Sequence, residues 1–174
     1  LATHVVTITI GYAGSFMAGT LGLLYIGYQT IGTWSSKTRD MLYRSVYGIV
    51  CFSLLFSFIG TVLGGIWADQ SWGRFWGWDP KETWALISIL IYAFVLHMRL
   101  IPKLRGNWLF NLMSIVAFAS IMMTYFGVNF YLVGLHSYAS GDKVITPNFV
   151  YWSVVIVFIL GLLSKYKYNK HLVK

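Results

Sequence analysis

Residues 43–66 read YRSVYGIVCFSLLFSFIGTVLGGI, and no charged side chain falls between Arg44 and Asp69. A helix needs about 20 apolar residues to cross a hydrocarbon core ~30 Å thick. This stretch is long enough and nearly uncharged, so it reads as a membrane span. Four further apolar runs lie around it: Val5–Tyr28, Asp79–His97, Trp108–Tyr125 and Phe149–Leu163. The third carries Lys81 and Glu82, both in its first turn. The last is short on strict counting and is expected to start at Pro147, because a proline at the first helical position sacrifices only an N–H that would be unpaired anyway. The expected fold is an all-α integral membrane bundle of about five transmembrane helices. It forms one domain over residues 1–174, without internal repeats or low-complexity segments.

Composition agrees. Of 174 residues, 57% are hydrophobic and 10% charged, against about 25% charged in a soluble domain. A soluble core of this size could not hide so much apolar surface, whereas a bilayer can. The net charge of +8 would suggest nucleic acid in a soluble protein. Here the basic residues sit in short clusters between apolar runs, which is a topology signal. The lipid bilayer is the expected partner, and nucleic acid is not. Cys51, the single cysteine, allows no intramolecular disulfide, so any thiol chemistry has to use a partner's cysteines. The chain opens on Leu1, which reads as a fragment or a processed product. Its first apolar run is too long, and lacks the basic lead, for a cleavable signal peptide.

Lys37, Arg39 and Arg44 fall between the first two spans, Arg99, Lys103 and Arg105 between the third and fourth, and Lys165, Lys167, Lys170 and Lys174 in the tail. Arg74, Lys81 and Lys143 fall on the other side. Short basic loops stay cytoplasmic, so the N-terminus is expected outside and the C-terminus inside. Two outer loops result, Trp67–Asp79 and Phe130–Thr146.

The first outer loop holds five of the eight tryptophans within residues 67–84: Trp67, Trp72, Trp76, Trp78 and Trp84. An interfacial aromatic belt accounts for one or two of them. It does not account for tryptophans spaced by Gly73 and Gly77, which allow close backbone approach. A tryptophan-lined platform suits a large, flat, amphipathic ligand. Asp79-Pro80-Lys81-Glu82 reads as N-cap, N1, N2 and N3 of a capping box, and that role does not exclude a ligand contact by Asp79.

Of the four histidines, His4 and His136 share the outer side with the tryptophans. His97 lies 18 residues beyond Asp79, about 27 Å away at 1.5 Å per residue, near the cytoplasmic interface beside Arg99. His171 sits in the lysine-rich tail as a solvated bystander. Each of the first three, taken singly, reads as an interfacial histidine before a metal ligand. Together, two imidazoles and an aromatic platform suit haem iron. The lack of neighbouring carboxylates and thiolates argues against zinc or an iron–sulfur cluster.

The stretch Trp72-Gly73-x-x-Trp76-x-Trp78-Asp79-Pro80-Lys81-Glu82-Thr83-Trp84 resembles the WWD signature of cytochrome c-type biogenesis proteins, and its Pro-Lys-Glu-Thr-Trp continuation resembles the CcsA/ResC branch. Leu96-His97-Met98-Arg99, Gly134-Leu135-His136-Ser137-Tyr138, and His4 with Gly11-Tyr12-Ala13 extend the likeness over nearly the whole chain. The resemblance implies that His4 and His136 are axial ligands of an outer haem b, handled as substrate, cradled by Trp67, Trp72, Gly73, Trp76, Trp78, Asp79 and Trp84. It implies that His97 is one of two intramembrane histidines that bind haem in transit, the second being absent here. It further implies a haem lyase that forms thioethers with the Cys-x-x-Cys-His segment of apocytochrome c and acts with a CcsB/ResB partner or fused region. The setting would be a bacterial inner membrane or a thylakoid membrane, and this chain would be the C-terminal part of a larger machine.

Three rival readings have distinct signatures. A haem-delivery or export relative would form no thioether, and the Pro-Lys-Glu-Thr-Trp stretch weighs against it. A cytochrome b carrier would pair histidines across facing helices within the bilayer, where this chain has only His97. A transporter or structural bundle would use Gly11, Gly14, Gly19 and Gly22 merely as close-packing contacts, a role those glycines are expected to play under every reading.

Overall fold

A computed structural model describes residues 1–32, 35–136 and 146–172. Its elements are α1 (Ala2–Ile31), α2 (Ser36–Trp72), α3 (Pro80–His97), a 3₁₀ turn (Met98–Leu100), α4 (Asn107–Met122), a π-helical turn (Met123–Gly127), α5 (Val128–Tyr131) and α6 (Asn148–Leu172). α4, the π turn and α5 run on as one span, Asn107–Tyr131, and five spans are long and apolar enough to cross a membrane. The chain is a multi-pass membrane protein. Lys143, Lys174, Ser137 and Tyr138 lie outside the described residues.

The bundle buries small polar residues beside an apolar core that includes Val46, Val50, Val95 and Phe110, and turns large apolar side chains outward. Its buried positions include Ser15, Ser53, Ser57, Ser88, Asn111, Ser114, Ser120 and Thr124, while Phe16, Leu55, Phe58, Leu90, Phe94 and Phe158 are exposed. Lipid tails are as apolar as leucine, so helices in a bilayer associate through close packing and interhelical hydrogen bonds instead. Helices α1 and α2 show both. A Cβ on Gly11 would sit 2.7 Å from the Ser57 amide nitrogen, and one on Gly60 would sit 2.8 Å from that of Ile8. The Ser15 and Ser53 hydroxyls meet at 2.5 Å, and Ser53 Oγ donates to the Gly11 carbonyl. Gly11, Gly14, Gly19 and Gly22 are all buried, so the glycines of α1 are packing contacts as expected. α3 and α4 are cross-linked through Thr124, whose hydroxyl lies 3.1 Å from the Trp84 carbonyl and 3.0 Å from Ser88 Oγ. α6 lies on the outside, packing Gly161 on Leu112 and accepting a hydrogen bond from Trp108 Nε1 at Ser164 Oγ.

The described basic residues of the expected inner side gather at one end of the bundle. The Arg99 guanidinium lies 4.0 Å from the centre of the Tyr47 ring, and Lys167 Nζ donates to the Thr30 carbonyl. His4 and His136 lie at the opposite end.

Three boundaries differ from the sequence expectation. α2 continues through Trp72 and stops at Gly73, whose φ of +70° makes it a left-handed C-cap with its N–H bonded to the Asp69 carbonyl. The Trp67–Asp79 loop therefore shrinks to residues 73–79, with Trp67 and Trp72 on the helix. The fourth span runs past Tyr125 to Tyr131, through the π turn, which shortens the path to His136. α6 begins just after Pro147 and runs past Leu163 to Leu172, and its basic turns stay packed on the bundle, with Lys165 Nζ over the Trp108 ring and Lys167 Nζ on the Thr30 carbonyl.

Candidate functional site

The turn at 73–79 is built from its own hydrogen bonds. Asp79 caps α3 in a full capping box with Glu82, and Pro80 fills the first helical position. Glu82 Oε2 accepts from the backbone N–H groups of both Gly77 and Asp79, at 2.8 and 3.2 Å. These two bonds bracket Trp78, which has φ +56°. A non-glycine residue held in that region costs on the order of 1–3 kcal/mol unless its surroundings over-determine it, and here Glu82 does so from both sides. Trp78 is exposed and packs edge-on to Trp76, with ring centroids 6.2 Å apart. Phe75 folds back over Gly65, where a Cβ would lie 2.8 Å from its ring.

Asp79 does more than cap. Its side chain is buried, with Oδ1 accepting from Leu135 N–H at 2.7 Å and Oδ2 from His136 Nδ1 at 2.9 Å. The chain after α5 can approach this closely because residue 134 is glycine: a Cβ there would lie 2.8 Å from Pro80 Cδ and press on the Asp79 carboxylate. His136 also meets Trp72 edge-to-face at 5.8 Å.

His4 is held in the same manner from the other end of the chain. Its Nδ1 lies 2.7 Å from the Gly60 carbonyl, and its ring lies on Gly64, where a Cβ would be 2.6 Å from Cε1. Carbonyls and carboxylates only accept, so both histidines carry their proton on Nδ1. In the neutral imidazole this leaves Nε2 as the lone-pair donor, the tautomer that metal-binding histidines adopt when an outer partner fixes the ring.

Both imidazoles line one cavity of about 380 Å³, together with Trp67, Trp72, Trp76 and Tyr125. A largely apolar cavity with a few converging polar groups is the usual form of a small-molecule site. Of the ten residues singled out from the sequence, His4, His136, Trp67, Trp72 and Trp76 line it. Asp79 acts through His136. Gly73 earns its place as the α2 cap, with nothing within 4 Å of its Cβ position. Trp78 lies outward, and the Trp84 carbonyl serves the α3–α4 contact. His97 is exposed at the far end of α3, its Nδ1 2.7 Å from the Ala93 carbonyl, so its Nε2 is also left free. Among the described residues no three His, Cys, Asp or Glu side chains cluster as a metal site.

Four contributors were not foreseen. Gly64 seats His4, and the Gly64–Gly65 pair inside an apolar run was its only signal. Tyr125 reaches the cavity from the π turn, a feature often found at functional sites. Lys81 and Glu82 also line the cavity, although their first-turn positions pointed only to capping.

Residues 1–136, which include both cavity histidines and the whole tryptophan turn, match the family described as cytochrome C assembly protein. Protein NrfI of Wolinella succinogenes is 47% identical over 146 residues, covering 82% of this chain and 16% of that protein. The cytochrome c biogenesis protein CcsA of Cuscuta exaltata is 32% identical over 171 residues, covering 80% of this chain and 54% of its own length. That of Spinacia oleracea is 43% identical over 109 residues, covering 62% and 33%. The chain thus spans about half or less of the length of these relatives, and it belongs to the cytochrome c assembly protein family.

Proposed function

We propose that the cavity at the His4 end binds haem as substrate, with His4 and His136 as axial iron ligands. It presents the haem for thioether attachment to the Cys-x-x-Cys-His segment of an apocytochrome c. One observation carries the reading: two histidines from opposite ends of the chain line one tryptophan-walled cavity, each with Nδ1 bound to an oxygen and Nε2 left for a metal. The apolar walls suit a porphyrin face, and imidazole suits iron. The names of the relatives, cytochrome c biogenesis proteins, agree with this cargo.

In the reaction each cysteine thiol adds across one haem vinyl group. A sulfur–carbon bond forms, the carbon–carbon double bond becomes single, and the thiol proton moves to the neighbouring carbon. The cargo and the partner supply the reacting atoms, so this chain contributes position, the usual division of labour with cofactor chemistry. Asp79 and Gly60 fix the two imidazoles, Trp72 bears on the His136 ring, and Trp76 closes the wall. The histidine of the incoming segment then competes for the iron and begins release. His97, at the other end of α3, serves haem arriving from the cytoplasmic side. A CcsB/ResB-type subunit or fused region completes the machine.

The test uses purified protein in detergent. Haem added to wild type should give a Soret band of bis-histidine character. His4→Gly and His136→Gly should weaken it and stop maturation, and added imidazole should partly restore both. Unchanged binding and maturation in both variants would remove the ligand assignment.

A further inference from the structure

Among the described residues, Lys81 is the single lysine or arginine that lines the cavity. Its ammonium lies 3.3 Å from Asn129 Oδ1 and 5.9 Å from the centre of the Tyr125 ring, so it sits on the wall formed by α3, the π turn and α5. The two nearby carboxylates are engaged elsewhere. Asp79 accepts from the Lys81 and Leu135 amides and from His136, and Glu82 accepts from the Gly77 and Asp79 amides. Among the described residues no carboxylate lies within ion-pair distance of Lys81, and the Asp79 carboxylate meets His136 Nδ1 instead. A half-buried ammonium whose direct partners are a neutral amide and an aromatic ring, with the Asp79 carboxylate acting on it only from beyond ion-pair distance, is a ready partner for an anion.

We propose that Lys81 is the carboxylate-recognising residue of this cavity, and that it sets which edge of the cargo faces which wall. This rests on the haem reading above. The two carboxylates of haem leave one edge of the macrocycle, and the two vinyl groups lie at the opposite edge. A carboxylate held at Lys81 turns the vinyl edge to the far side of the cavity and so decides where the thiols must arrive. Lys81 is therefore a specificity residue: the histidines recognise the iron, and Lys81 selects for a free acid.

The experiment titrates the full chain in detergent with haem b and with its dimethyl ester, which keeps the ring and iron but removes both negative charges. Wild type should bind the free acid about tenfold more tightly than the ester, the scale of one charge-assisted hydrogen bond. That preference should fall as salt rises. Lys81→Gln should lose the preference by weakening free-acid binding while leaving ester binding unchanged, and Lys81→Arg should keep it. The Lys81 backbone N–H, which serves the Asp79 cap, is untouched by either substitution. A Lys81→Gln protein that retains the wild-type preference overturns the proposal while leaving the haem site standing. Equal weakening of both ligands also overturns it, since that marks a purely structural lysine. Failure of wild type to bind either porphyrin removes the haem reading itself.

Discussion

Asp79→Asn isolates the contribution of the carboxylate that orients His136. Asparagine is as good an N-cap as aspartate, so the start of α3 should survive. The change falls on the other bonds. Lys81 N–H, Leu135 N–H and His136 Nδ1–H all donate to this buried carboxylate, and an amide offers one accepting oxygen in place of two. If the amide NH₂ faces Leu135, two donors confront each other. If it faces His136, it also confronts the Lys81 N–H that shares that oxygen, and the imidazole must become the acceptor at Nδ1, which moves its proton to Nε2 and removes the lone pair that would bind iron. A buried donor left without a partner costs about 1–3 kcal/mol, and each 1.4 kcal/mol is about tenfold in affinity. Haem affinity should therefore fall about tenfold to a hundredfold, the range for loss of an outer partner of a metal-bound histidine. The assay is haem titration followed at the Soret band, with thermal unfolding of the unloaded protein as a control on the fold. An Asp79→Asn protein that binds haem with wild-type affinity and spectrum would refute the orienting role.

Gly64→Ala should displace the His4 ring, whose Cε1 lies 2.6 Å from the added Cβ, and lower haem affinity. Gly48→Ala meets nothing within 4 Å and should stabilise α2 by up to about 1 kcal/mol; equal effects of the two on haem titration would show that His4 is not seated by Gly64. His97→Gly should lower the haem copurifying at the outer site while leaving that site's affinity for added haem unchanged, with imidazole restoring the loss; normal haem content and normal maturation would end the transit role. Cysteines introduced near Lys37 and near Lys143 should label from opposite faces of the membrane, and labelling of both from one face would overturn the orientation drawn from the basic residues.

Most of the fold was legible because a span announces itself by length and lack of charge. The Asp79-Pro80-Lys81-Glu82 box was readable for the same reason: capping is local, and four adjacent residues suffice to specify it. Gly73 was visible, but its role as the α2 cap was not read. A glycine after a long apolar run is a helix stop, and the density of tryptophans drew attention to a loop instead. The contact of Asp79 with His136 had no local signature, since it depends on how α3 and the turn after α5 meet. The left-handed Trp78 was equally silent, because its conformation is imposed by Glu82 rather than by its own preferences. His4 and His136 could be assigned to one side of the membrane from charge alone. That they line one cavity follows only from tertiary packing, of α1 on α2 for His4 and of the turn after α5 on Asp79 and Trp72 for His136.

The two cavity imidazoles belong to segments that the chain keeps far apart, the first turn of α1 and the turn beyond α5. Whatever bridges them acts as a removable staple across the outer end of the bundle. By mass action a ligand held only by the folded form adds stability of about 2.7 kcal/mol at a hundredfold excess over its Kd. If haem binds there as proposed, loading should harden this end of the molecule, and resistance to proteolysis near His136 becomes a gauge of occupancy.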